Sequence, residues 1–332
     1  MNKSFLAAAT ATVTLLIHAT AQADGPRLAS PVECTPGETC WVVNYFDHDP
    51  GAGMRDYHCG ALGYDGHDGT DIAIRDGAAM AAGVPVVAAA PGTVKGMRDG
   101  MPDTGLKAGR ESVKGRECGN GVVIAHDGGW ETQYCHMRRG SVAVRSGERV
   151  ERGQRLGLVG LSGHTEFPHL HLTVRHDGKK IDPFLGDTPP SSCGIGANAL
   201  WDADAAAALA YRPVAIYNVG FSGGPPDPDR IRSGDHKPEA AADAPALVLW
   251  ADIFGVDAGD RISLRIIGPD GATVAENTRT LDRRQIRRFE YAGKRTPGEW
   301  PAGTYTGEIV VTRKTDSGET AVRERTQVEL RQ

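Results

Sequence analysis

The chain holds no C-x-x-C pair, no H-E-x-x-H, and no G-x-S-x-G or P-loop in a suitable strand-and-helix context. These absences remove zinc knuckles, paired-thiol redox centres, helical zincins, elbow-type serine hydrolases and P-loop nucleotide binders. Aromatic residues are scarce at 6%, while glycine numbers 43, a balance that favours turn-rich β architecture over a helical one. The net charge of -5 is spread over interspersed signs and leaves no basic stripe of the kind that reads phosphates. The amino-terminal apolar stretch, Phe5 to Ile17, is interrupted by Thr10, Thr12 and Thr14 and is too short to span a hydrocarbon core of ~30 Å.

What is present starts with a leader. Lys3, the apolar stretch and the small-x-small pattern Ala21-Gln22-Ala23 predict a signal peptide over residues 1–23 and an exported mature chain from near Asp24. No cysteine follows closely enough to take a lipid. Export suits the cysteine count: Cys34, Cys40, Cys59, Cys118, Cys135 and Cys193 are even in number and predict three disulfides. Cys34 with Cys40 is the simplest pair, because a Pro-Gly turn lies between them. A bridge at Cys135 would brace the strand that carries His136; a buried free thiol is the alternative.

A chain of 332 residues accommodates two domains. Short β-branched runs separated by glycine turns fill the first, residues 24–190, and predict an antiparallel sheet with a hairpin turn at Asp127-Gly128-Gly129. The stretch from Lys95 to Glu117 breaks that rhythm and reads either as one wall of a groove or as a surface insertion. Pro189, Pro190, Ser191 and Ser192 mark a boundary. Residues 191–245 read as a linker with a short helix at Ala203 to Ala210 and a long polar loop over 223–245. Residues 246–332 alternate as a small β-sandwich of immunoglobulin-like type, with a GPDG hairpin turn. In it Arg283, Arg284, Arg287 and Arg288 read as a solvated strand edge.

Chemistry concentrates in the first domain. In HLHLTV the period of two puts His169 and His171 on one face and packs Leu170 and Leu172 on the other. In GHDGTD, His67 and Asp71 flank Gly69, which permits a tight backbone path. Histidine, aspartate and one more histidine make the three-ligand set of a catalytic zinc with a fourth place for water. His136 in YCHM is a fifth candidate. Five residues for three places leave two for proton transfer, since zinc lowers the pKa of its water to around 7 and a nearby histidine then takes the proton. Spacing leaves open which of His169 and His171 binds metal. A cysteine nucleophile at Cys135 with His136 as base fails on strand alternation.

Taken in order, HDGTD, NGVVIAHDGGWETQYCHM, GERVERGQRLGLVGLSG and FPHLHLTVRHDGKKIDP resemble the catalytic domain of the LytM and lysostaphin type of zinc peptidases, over Tyr64 to Phe184. The resemblance implies that His67, Asp71 and His171 bind one zinc ion. It implies that His136 and His169 polarise the water and stabilise the oxyanion. It further implies a groove on an antiparallel sheet and hydrolysis of peptide bonds in bacterial peptidoglycan, in the periplasm or outside the cell. Phe167 departs from the family, which usually has glycine before the proline of this strand, and the Lys95 to Glu117 stretch is longer than usual.

His48, His58, His126 and His176 read as surface or turn histidines; His164 lies in a loop expected to border the groove. Two other functions stay open: a non-catalytic murein-binding activator of an amidase, and a secreted protease for Gly-rich proteins.

Overall fold

The computed structural model describes residues 25–187, 193–236, 241–315 and 318–331. The leader expected over residues 1–23 and the boundary markers Pro189 to Ser192 lie outside the described residues. In chain order the first unit contributes β1 (Cys40–Asn44), β2 (Thr70–Ile74), β3 (Pro85–Val87), β4 (Gly92–Arg98), β5 (Asn120–Ala125), β6 (Trp130–Met137), β7 (Arg149–Val150), β8 (Arg155–Leu158), β9 (His169–His176) and β10 (Lys179–Ile181). Its helix α1 spans Gly77–Ala82. The main sheet runs β1-β2-β9-β6-β5-β4-β7, antiparallel at each pairing, with β10 on the far end of β9.

Alternation decides what each face of this sheet carries. Leu170, Leu172 and Val174 of β9 are fully buried with Tyr134 of β6 and Ile72 of β2, under Val86 of β3 and Leu156 of β8. Each such aliphatic side chain contributes about 1.5–3 kcal/mol relative to exposure. The opposite face is left to His169, His171, Thr173 and Arg175. The expected hairpin is present: β5 and β6 pair across a tight turn at Asp127–Gly129, closed by His126 N–H to the Trp130 carbonyl at 2.8 Å. The Lys95 to Glu117 stretch begins inside β4, then makes two 3-10 turns, Gly105–Ala108 and Arg110–Val113.

The short helix expected in the linker is α2 (Ala203–Ala208), capped by Asp202 accepting from Ala205 N–H. The second unit contains β11 (Ala215–Ser222), α3 (Pro228–Ser233), β12 (Ala246–Val256), β13 (Arg261–Ile267), β14 (Thr273–Thr280), β15 (Gln285–Arg295), β16 (Gly303–Thr315) and β17 (Gly318–Leu330). Sheets β11-β12-β15 and β14-β13-β16-β17 face each other over a core that includes Leu249, Ile253, Ile262, Leu264 and Ile309. This order differs from a constant-type immunoglobulin sandwich only in the sheet to which the fourth strand belongs. Strand pairing begins before residue 246, because β11 lies in the stretch read as linker; a bulge between Ile216 and Asn218 interrupts its alternation. The polar loop contains α3, marked by the Asp227 cap, Pro228 in the first turn and left-handed Gly234 at the end.

The second unit packs on the same sheet face that carries the histidines. Trp41 and Val43 of β1 and Ala73 of β2 form a buried cluster with Ala215, Tyr217 and Phe254, and Phe167 packs against it. Arg287 lies 5.5 Å from the Phe167 and Phe254 ring centres and 5.6 Å from that of Tyr217. The solvated edge expected for the arginine run is therefore wrong for Arg287, whose Nε donates to Tyr217 Oη at 2.6 Å.

Candidate metal centre

β2 and β9 are neighbours with Asp71 directly opposite His171, and the turn before β2 brings His67 alongside. The approach demands glycine at position 69, since a Cβ there would stand 2.6 Å from the Leu172 carbonyl and 2.7 Å from the His171 ring.

Three donor atoms meet at one point. His67 Nε2 lies 3.2 Å from Asp71 Oδ1 and 3.2 Å from His171 Nδ1, and His171 Nδ1 lies 2.7 Å from Asp71 Oδ1. Donors about 2.0–2.2 Å from a tetrahedral ion stand ~3.3 Å apart, so this triangle has the dimensions of a zinc face. The outward atoms are already committed. His67 Nδ1–H donates to the Tyr45 carbonyl at 2.7 Å, His171 Nε2 meets Thr173 Oγ1 at 2.9 Å, and Asn44 Nδ2 donates to Asp71 Oδ2 at 2.8 Å. Each inward atom is thereby left with a lone pair, the arrangement that fixes tautomer and ring direction in metal sites. The residues present fit zinc.

His136 and His169 adjoin the triangle. Their ring centres are 4.7 Å apart, and that of His136 lies 6.0 Å from His171. His136 Nδ1–H donates to the Ser162 carbonyl at 2.8 Å, and His169 Nδ1–H donates to the Phe167 carbonyl at 2.9 Å, which leaves Nε2 as the second ring nitrogen of each. His169 Nε2 is 3.4 Å from Asp71 Oδ1. His136 adopts a left-handed backbone, φ +62°, rare for a residue with a side chain. Its N–H donates to the Cys118 carbonyl at 2.8 Å, and Cys118 is bridged to Cys135. The turn also corrects the strict alternation expected of YCHM, because Cys135 and His136 both line the cleft. A cysteine nucleophile is removed instead by the disulfide. The other pairs are Cys34–Cys40, as expected, and Cys59–Cys193.

Electrostatics distinguishes these side chains. Burial, reinforced by His169 and His171, holds the His136 imidazole well below its ordinary value, so it is neutral at pH 7. Burial raises the Asp71 carboxyl, but the field of His67 and His169 and hydrogen bonds from His169 and His171 outweigh it and keep the group ionised. For His171 burial lowers the pKa, and hydrogen bonds to Asp68 and Asp71 more than reverse this, pushing it up to about 9. A proton and a divalent cation thus compete for one place.

A cleft of about 280 Å³ opens over the site, walled by Tyr64, Glu117, Gln133, His164 and Arg175 among others. Glu117, the last residue of the Lys95 to Glu117 stretch, lines the cleft, as does His164. Of the remaining histidines, His48 pairs with buried Asp182, His58 stacks on Tyr211, His176 stacks on Trp130, and His126 is half-buried between the Pro91 carbonyl and Thr132. Asn44, Ser162 and Thr173 support the site without having been picked out from sequence. Only Thr173 carried a signal, as the next same-face residue of the HLHLT alternation.

Comparison with known proteins places this domain. Residues 65–183 match the family model for peptidase family M23. The chain is 31% identical over 126 residues to the peptidoglycan DD-endopeptidase ShyA of Vibrio cholerae, covering 38% of this chain and 24% of that protein. It is 36% identical over 86 residues to the DD-carboxypeptidase/endopeptidase Mpg of Neisseria meningitidis, covering 25% of this chain and 19% of that protein. The match thus spans about a quarter or less of each relative. Among solved structures, the catalytic domain of the prophage-encoded M23 protein EnpA from Enterococcus faecalis aligns with 48% of this chain and 95% of its own, at 23% identity and a TM-score of 0.32.

Proposed function

We propose, from the M23 peptidase domain at residues 65–183, that this protein is an exported zinc-dependent endopeptidase that hydrolyses peptide bonds of bacterial peptidoglycan. The observation that carries this reading is the triangle of His67 Nε2, Asp71 Oδ1 and His171 Nδ1, with the outward atom of each residue tied by a hydrogen bond. Zinc bound there supplies Lewis acidity, polarising a carbonyl and lowering the pKa of a water.

The chain's own residues do the rest. Neutral His136, with Nδ1–H fixed on Ser162, offers the Nε2 lone pair as general base and can return the proton to the leaving amine. His169, anchored through Nδ1–H on Phe167, turns its Nε2 edge toward the metal triangle, where it stabilises the developing oxyanion. The cleft over the sheet gives an extended peptide a path across both.

The substrate class rests on the name of ShyA, a peptidoglycan DD-endopeptidase, beside that of Mpg, a DD-carboxypeptidase/endopeptidase. Export is supported by the three disulfides, which persist in oxidising compartments. Among the described residues no helix is long and apolar enough to cross a membrane. The amidase-activator reading gains nothing from a site in which all five positions are filled. The test is to incubate the protein with purified sacculi, with and without chelator, and to analyse released fragments. Chelator-sensitive release of peptides supports the reading, and intact sacculi overturn it.

A further inference from the structure

We propose that Arg175 forms a subsite for a free carboxylate on the substrate, several residues from the scissile bond; this rests on the peptidase reading above. Arg175 continues the alternation of β9 on the face of His171 and Thr173 and lines the same cleft. It lies four residue steps along the strand from His171, about 13 Å along the backbone.

Its surroundings are what single it out. Across β6 it faces Glu131, and across β10 it faces Lys180. Both neighbours are engaged elsewhere: the Glu131 carboxylate bonds Lys95, and Lys180 bonds the Asp68 carboxylate. Asp68 is also 3.4 Å from His171 Nε2. Among the described residues no carboxylate lies within ion-pair distance of Arg175.

Among the described residues its one side-chain hydrogen-bond partner is neutral. Arg175 Nη2 donates to Gln133 Oε1 at 2.6 Å. Gln133 stands opposite Thr173, not opposite Arg175, so the guanidinium leans along the strand toward the metal end of the cleft. This bond fixes the plane of the fork and leaves further N–H donors for a ligand. A half-buried guanidinium held flat by an amide, with its local acids already paired, matches the geometry by which arginine takes a carboxylate through two parallel hydrogen bonds.

The carboxylate has two possible sources in a peptide, an acidic side chain or the chain terminus, and the test separates them. Four synthetic stem-like peptides combine a side-chain carboxylate or carboxamide with a terminal acid or amide. Cleavage and calorimetric binding of each are measured with the wild-type protein, Arg175→Gln and Arg175→Lys, all zinc-loaded. We expect Arg175→Gln to weaken binding and lower kcat/KM by about tenfold to hundredfold, the usual worth of a charged hydrogen bond. The loss should fall mainly on KM, and only on peptides that keep the relevant carboxylate. The amidated counterpart should be handled equally by wild type and variant, and Arg175→Lys should recover part of the loss. The arm in which amidation erases the difference identifies the source. Equal losses on all four peptides, or no discrimination by the wild type between acid and amide, overturn the subsite. If the wild type cleaves none of them, the peptidase reading fails, while the binding comparison still decides the role of Arg175.

Discussion

Phe167 and His169 are joined twice: the His169 Nδ1–H donates to the Phe167 carbonyl at 2.9 Å, and their ring centres stand 4.7 Å apart. The other side of Phe167 meets Phe254 of the second unit at 5.3 Å, beneath Arg287. The sandwich therefore reaches within one residue of a histidine proposed for the chemistry. Phe254→Ala and Arg287→Ala are expected to retain zinc and lower turnover by about tenfold, because small displacements of a catalytic group are costly. Steady-state kinetics beside elemental analysis checks this; turnover equal to wild type in both variants would reduce the sandwich to a separate module.

His136→Ala should bind zinc stoichiometrically and lower kcat by about 10² to 10⁴, the range for a positioned acid or base. An unaltered rate on a defined peptide would remove His136 from the mechanism.

The Cys118–Cys135 bridge sits against a residue held at φ +62°, with the Cys118 carbonyl accepting from His136 N–H. Replacing both cysteines by serine is expected to lower kcat several-fold with zinc content intact, since the left-handed turn then relies on hydrogen bonds alone. Kinetics at matched zinc loading is the check, and a kcat unchanged from wild type would show that the bridge does not position His136.

Burial lowers the pKa of His126 below its ordinary value, opposed by the Pro91 carbonyl, Asp127 and Glu131. A folded value below the unfolded one, about 6.5, means that the neutral ring contributes stability above that pH and loses it as pH falls through the folded value. His126→Gln should therefore lose less stability than wild type between pH 7 and pH 5. Denaturant melts at the two pH values test this, and parallel losses would contradict it.

Much of this arrangement was legible in the residues themselves. The HLHLTV alternation announced a strand with an apolar face inward, and GHDGTD, YCHM and HLH named the five side chains that the fold brings together. The hairpin at Asp127 to Gly129 and the Cys34–Cys40 pair followed from turn chemistry. What escaped depends on contacts between distant segments. Arg287 sits in a run of arginines that looks solvated, and only the approach of Phe167 from over a hundred residues away makes it an interface residue. The shared cleft position of Cys135 and His136 depends on a positive φ that no local pattern announces at a histidine. The β11 strand was hidden by a bulge, which breaks the period of two on which strand recognition relies.

The most direct measurement is metal content by elemental analysis of wild type, His67→Ala and Asp71→Ala purified side by side. One zinc per chain in wild type and little in either variant is the predicted result, because losing one of three protein ligands removes much of the affinity. Full zinc in the variants, or none in the wild type after reconstitution, would contradict the shared coordination point of His67, Asp71 and His171.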